Sequence, residues 1–136
     1  MGAWSHEPFG NDTACDWSYD LQKQKDLSLI AKAVDAVLEE QGYLEADTAT
    51  EALAAVEVLA KLLGRGTQSD SYTEGVDEWV AQIQKTPDTG LLSKARAAID
   101  RVLGSESELK ELWEESDETE LWKESVLQLR AALIHV

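Results

Sequence analysis

Residues 48–64, TATEALAAVEVLAKLLG, decide the fold class. Leu53, Val56, Leu59, Ala60 and Leu63 recur at the three- and four-residue spacing that puts them on one side of a helix. Alanine is frequent between residues 49 and 60. It favours helix and lets neighbouring helices approach closely. Thr48-x-x-Glu51 has the spacing of a capping box, which predicts the helix start. Gly64-Arg65-Gly66 predicts its end.

Working outward, the same pattern repeats in both directions. Upstream, Asn11 precedes an acidic first turn and reads as an N-cap, followed by Ala14, Trp17 and Leu21 on one face. Asp26 reads as the next cap, before a stripe of Leu27, Ile30, Val34, Val37 and Leu38 that ends near Gly42. Downstream, residues 64–75 are rich in Gly, Ser, Thr and Asp and read as a mobile loop. Val76, Trp79, Val80 and Ile83 predict a short helix, which ends before Thr86-Pro87. That pair predicts the next start, with Thr86 as cap and Pro87 at the first helical position. Leu91, Leu92, Ala95, Ile99, Val102 and Leu103 follow as a buried side, up to Gly104. Ser105-x-x-Glu108 is a second capping-box spacing, leading into Leu109, Leu112 and Trp113. After a break near Ser116-Asp117, Trp122, Val126, Leu129 and Leu133 form the last stripe. No convincing period-two strand occurs. The expectation is an all-α protein, a single compact bundle of about six or seven short helices, with residues 1–136 as one domain.

The 136 residues include 27 Asp and Glu against 12 Lys and Arg, a formal net charge of −15. That balance argues against nucleic acid, whose phosphates are bound by Lys and Arg, and against anionic membranes. No apolar run approaches the roughly 20 residues of a membrane span, and no basic-then-apolar leader opens the chain. Cys15 is the one cysteine, so no internal disulfide forms, and the expected setting is cytoplasmic. Phosphate loops, zinc fingers, EF-hand loops and nucleophile elbows are all missing, so no cofactor, metal or catalytic residue is assigned.

Some clusters still carry chemistry. Asp12, Asp16 and Asp20 lie four apart, an oxygen-rich stripe suited to a hard cation or to solvent beside a helix N-terminus. Residues 106–124 hold nine acids against Lys110 and Lys123. Such a surface either keeps a protein soluble or docks a basic partner. Trp113 and Trp122 within it read as core anchors. His6 and His135 lack metal-ligand spacing to each other or to Cys15. Cys15 sits near the positive end of a helix, a position that lowers a thiol pKa, but no base accompanies it.

Met1-Gly2-Ala3-Trp4 and Pro8-Phe9-x-Asn11-Asp12-x-Ala14-x-Asp16-Trp17 resemble the opening of a bacterial family, domain of unknown function 4259. The likeness continues through Gly42-Tyr43-Leu44-Glu45-Ala46, Glu51-Ala52-Leu53-Ala54-Ala55 and Glu57-Val58. It returns at Glu108-Leu109, Leu112-Trp113, Trp122 and Leu129-Arg130. The chain departs at Ser5 and Glu7, where the family usually carries glycine. The resemblance implies a small bacterial cytosolic protein and carries over no activity. It draws attention to Trp4, Asn11, Asp12 and Asp16 as a motif site. The functional expectation is a non-enzymatic protein-binding module, an immunity- or antitoxin-like inhibitor that covers a basic partner with Glu111, Glu114, Glu115 and Glu118. The alternative is a small divalent-metal enzyme or metal-binding module built on the N-terminal Asn/Asp motif.

Overall fold

The Ala-rich stretch is more deeply buried than a one-faced helix. In the computed structural model, which describes residues 5–134, it is the central helix of seven. These are α1 (Asp12–Leu21), α2 (Ser28–Glu39), α3 (Ala46–Leu62), α4 (Glu74–Ile83), α5 (Thr89–Leu103), α6 (Glu108–Glu114) and α7 (Thr119–Ala132). Helix α3 touches each of the other six. Every residue from Ala52 to Ala60 is buried, whichever way it points. Small side chains at 52, 54, 55 and 60 make that possible, because they let helices pack on all sides of one axis. The stripes predicted for the other helices bury most of their residues around this axis, although Leu38, assigned to the α2 stripe, is exposed. Ala14, Trp17 and Leu21 of α1 are buried, as are Ile30, Val34 and Val37 of α2 and Leu92, Ala95, Ile99 and Val102 of α5. So are Trp122, Val126, Leu129 and Leu133 at the C-terminal end.

The helix starts correct several expectations. Helix α3 begins at Ala46, and Thr48 lies inside it, so the Thr48–Glu51 capping box does not form. The reason is long-range: the Glu108 carboxylate accepts from the Ala46 N–H at 2.7 Å and satisfies an amide that the helix leaves unpaired. The same bond removes the second box. Ser105 does not cap α6, whose N-cap Ser107 makes no side-chain capping bond. The two helix starts are held side by side by a single parallel bridge. Leu44 N donates to Glu106 O at 2.8 Å, and Glu108 N donates to Leu44 O at 2.9 Å.

Asp26 also sits outside the cap position. It accepts from the amide and hydroxyl of Ser28 in a tight turn, while Leu27 is the N-cap and α2 ends at Glu39. Helix α5 is capped by Asp88, which accepts from Leu91 N at 2.7 Å, so neither Thr86 nor Pro87 plays its predicted part.

The largest departure is Glu57, a carboxylate with no solvent exposure in the middle of α3. It accepts from Thr67 N, from the Thr67 hydroxyl at 2.7 Å and from Gln68 N at 2.8 Å. Lys61 Nζ lies 3.7 Å away, forms a 2.7 Å ion pair with Asp77 and donates to the Gln68 carbonyl. The segment predicted to be a mobile loop is therefore fastened to the central helix. Its close approach is visible at Gly66, where a Cβ would meet Lys61 Cγ at 2.6 Å. Beyond it, Asp70 N donates to Thr73 Oγ1, and Thr73 Oγ1 donates to Asp77.

Two outcomes follow from this wiring. Glu108→Ala removes the cap of α3 and is expected to cost about 1 kcal/mol in urea denaturation, whereas Thr48→Ala stays within about 0.5 kcal/mol. Equal effects would restore the local capping box.

Burial pushes the Glu57 carboxyl above its ordinary value of 4.5, and the Thr67, Gln68 and Lys61 donors offset only part of that. A carboxyl raised in the folded state contributes stability that is full below its unfolded pKa and is lost as pH rises through the folded value. The advantage of the wild type over Glu57→Gln is therefore expected to be largest near pH ~4 and to shrink toward pH ~7. An advantage that grows with pH would show that the donors outweigh burial. Glu57→Ala, which leaves Lys61 without one buried partner, is expected to cost about 3–5 kcal/mol.

Candidate functional site

The N-terminal motif folds into a tight turn that leads into α1. Gly10 N donates to Glu7 O at 2.9 Å, and Ser5 N donates to Gly10 O at 3.2 Å. Gly10 is packed so closely that a Cβ there would lie 3.0 Å from the Ser5 carbonyl. Glu7 has no positive φ, so its replacement of one of the family's usual glycines needs no special backbone geometry. Asn11 Oδ1 accepts from Ala14 N at 2.7 Å, the N-cap that its position predicts. Phe9 is fully buried, and its amide donates to Gln68 Oε1 at 2.8 Å. The segment is thus tied through Gln68 to the loop that Glu57 holds.

Asp12 and Asp16 point elsewhere. Both are exposed on α1, as is Asp20, which lies 4.0 Å from Lys23. Among the described residues, no group of three His, Cys, Asp or Glu is placed to hold a metal ion. Trp4 and His135 lie outside the described residues. Cys15 departs from the expectation of a lowered pKa. Burial pushes its thiol up, and the charges of Asp12, Asp16 and Asp70 add to the rise. Its Sγ donates to the Phe9 carbonyl at 3.6 Å.

The motif segment and the C-terminal tryptophans, far apart in sequence, meet at one cleft of about 160 Å³. One wall is the 5–8 segment with Asn11 and Thr13, and another is the start of α3 through Asp47 and Thr50. Helices α6 and α7 supply Trp113 and Trp122. Both tryptophans are buried, as their helical spacing predicts, and they stack at 6.2 Å between ring centroids with 9° between planes. His6 and Glu7 also line the cleft, whereas Asp12 and Asp16 do not. Of the three described motif residues singled out in the sequence, Asn11, Asp12 and Asp16, only Asn11 is brought to it.

The acidic stretch lies on the outer side of α6 and the turn into α7. Glu111, Glu114, Glu115 and Glu118 are all exposed, while Leu109 and Trp113 of the same helix are buried. Glu111 accepts from the Tyr43 hydroxyl at 2.6 Å, and this bond pushes the phenol up to about 12. Glu108 is withdrawn from the surface array by its bond to Ala46. Sequence reasoning therefore found the outer carboxylates but missed the structural duties of Glu108 and Glu57. It also missed Asp47 and Glu7 at the cleft.

These features define an all-helical protein with a small, acid-rimmed cleft between its N-terminal segment and its last two helices. Its family is settled by comparison: the model described as Domain of unknown function (DUF4259) matches residues 2–125, and the chain belongs to that family. That span takes in the N-terminal motif, the central helix and the first half of α7. No curated protein and no solved structure matches the chain.

Proposed function

We propose that the protein is a non-enzymatic binding module whose α6–α7 face docks a basic protein partner, in the manner of an immunity or antitoxin-like inhibitor. The observation that carries this reading is the outward array of Glu111 and Glu114 on α6, with Glu115 and Glu118 in the turn that follows, beside a helix side anchored by Leu109 and Trp113. Carboxylates clustered on a packed helix and its following turn concentrate negative charge on one face. Such a pattern accelerates encounter with a positive surface and disfavours wrong partners. The net charge of −15 extends the attraction beyond the contact itself. No helix of the described residues is long and apolar enough to cross a membrane. The cytoplasm is the proposed setting, in a bacterial cell.

The test compares the tagged full chain with its Glu111→Lys, Glu114→Lys, Glu115→Lys and Glu118→Lys variant in pull-downs at low and moderate salt. The expected result is one stoichiometric basic protein on the wild type, lost as salt rises and absent from the variant. With that partner purified, the reversal should slow association about tenfold or more. An unchanged association rate in a folded variant would remove the acidic face from the account.

A further inference from the structure

The cleft between the motif segment and α6–α7 is separate from the outer carboxylates, and its lining points to a specific chemistry. Its volume of about 160 Å³ is below the roughly 300–1,000 Å³ typical of drug-sized or cofactor sites. It suits a single side chain. Two carboxylates, Glu7 and Asp47, stand at it, and among the described residues no lysine or arginine lines it. Asp47 already accepts from the Thr13 hydroxyl at 3.3 Å, which holds that carboxylate in place at the start of α3. Trp113, Trp122 and Leu109 supply the apolar part. An aliphatic stem against tryptophan and a cationic head against carboxylates is the arrangement that long basic side chains require.

We infer that this cleft receives one arginine or lysine side chain presented by the basic partner. The identity of the presenting molecule rests on the proposed function, whereas the chemistry of the cleft rests on its own lining. Carboxylates lining a cleft offer charge-assisted hydrogen bonds to a guanidinium or ammonium group, and these are about twice as strong as neutral ones. The stacked indoles exclude water from one side of the bound stem. The outer carboxylates then steer the partner, and the cleft fixes its register.

The experiment is a titration of the full chain with N-acetyl-arginine amide, followed by amide and indole NMR shifts. The neutral isostere N-acetyl-citrulline amide and the free amine agmatine are run beside it. Saturable shifts are expected at residues 5–13, at the start of α3 and at the Trp113 and Trp122 indoles. Citrulline should bind about tenfold more weakly, the loss of roughly one charge-assisted contact. A Glu7→Gln/Asp47→Asn variant keeps the polar shapes and should retain its melting temperature while losing arginine binding to a similar degree. Binding should persist in the outer-face reversal variant. Equal binding of citrulline would overturn the inference, as would binding of agmatine alone, which would assign the cleft to a free amine. Loss of arginine shifts in the outer-face variant but not in the cleft variant would also overturn it, while leaving the acidic docking face standing.

Discussion

A carboxylate without solvent contact sits at the centre of the helix that every other helix touches, and the rest of the structure is arranged around satisfying it. Glu57 loses its hydration on folding and recovers three hydrogen bonds from Thr67 and Gln68, with Lys61 close by. An unpaired buried carboxylate is among the most costly features a core can contain. The 64–73 segment therefore has one position in which Glu57 is tolerated, laid along α3 with its amides turned inward. Lys61 completes the arrangement by bonding the Gln68 carbonyl and pairing with Asp77 of α4. One acidic side chain thus fixes a loop, a neighbouring helix and the chain direction between them.

The constraint reaches the cleft through Gln68. Its backbone is held by Glu57, and its side chain accepts from Phe9 N while donating to Asp70. Phe9 is fully buried and precedes the Asn11 cap, so the segment that walls the cleft hangs from the same network. The opposite wall has its own tie: Glu108 caps α3 while the Leu44–Ser107 bridge sets α6 beside it. The cleft is a product of two long-range contacts, each made by a glutamate that a surface reading would give to solvent. Its rim is negative because Glu7 and Asp47 line it and, among the described residues, no lysine or arginine does.

Much of the fold was legible in the residues because helix periodicity is local. The α1 and α7 stripes and the Asn11 cap depend on side chains three or four residues apart, and they appear where their spacing places them. What was hidden was long-range. Thr48 and Ser105 have capping-box spacing, but a tertiary carboxylate satisfied the amide first. Glu57 and Lys61 lie four apart, a spacing that carries no sign of burial. The clue to their burial was the absence of any polar side on α3 between Ala52 and Ala60. The Gly- and Ser-rich composition of residues 64–75 is that of a mobile loop, and only its partner in α3 restrains it. The candidate site was legible in part: the outer glutamates and the tryptophans by composition and spacing, Glu7 and Asp47 not at all.

The division between an inner network and an outer charged face frames the functional reading. The inner glutamates build the scaffold, and the outer ones face solvent. The claim on which this rests is that Glu57 fastens the loop and, through it, the N-terminal segment. Native-state hydrogen exchange tests it residue by residue. If Glu57 is the tie, the amides of Thr67, Gln68 and Phe9 exchange only with the opening of α3, at the same free energy as its central amides. Rapid exchange at those three positions, while α3 stays protected, would contradict the account.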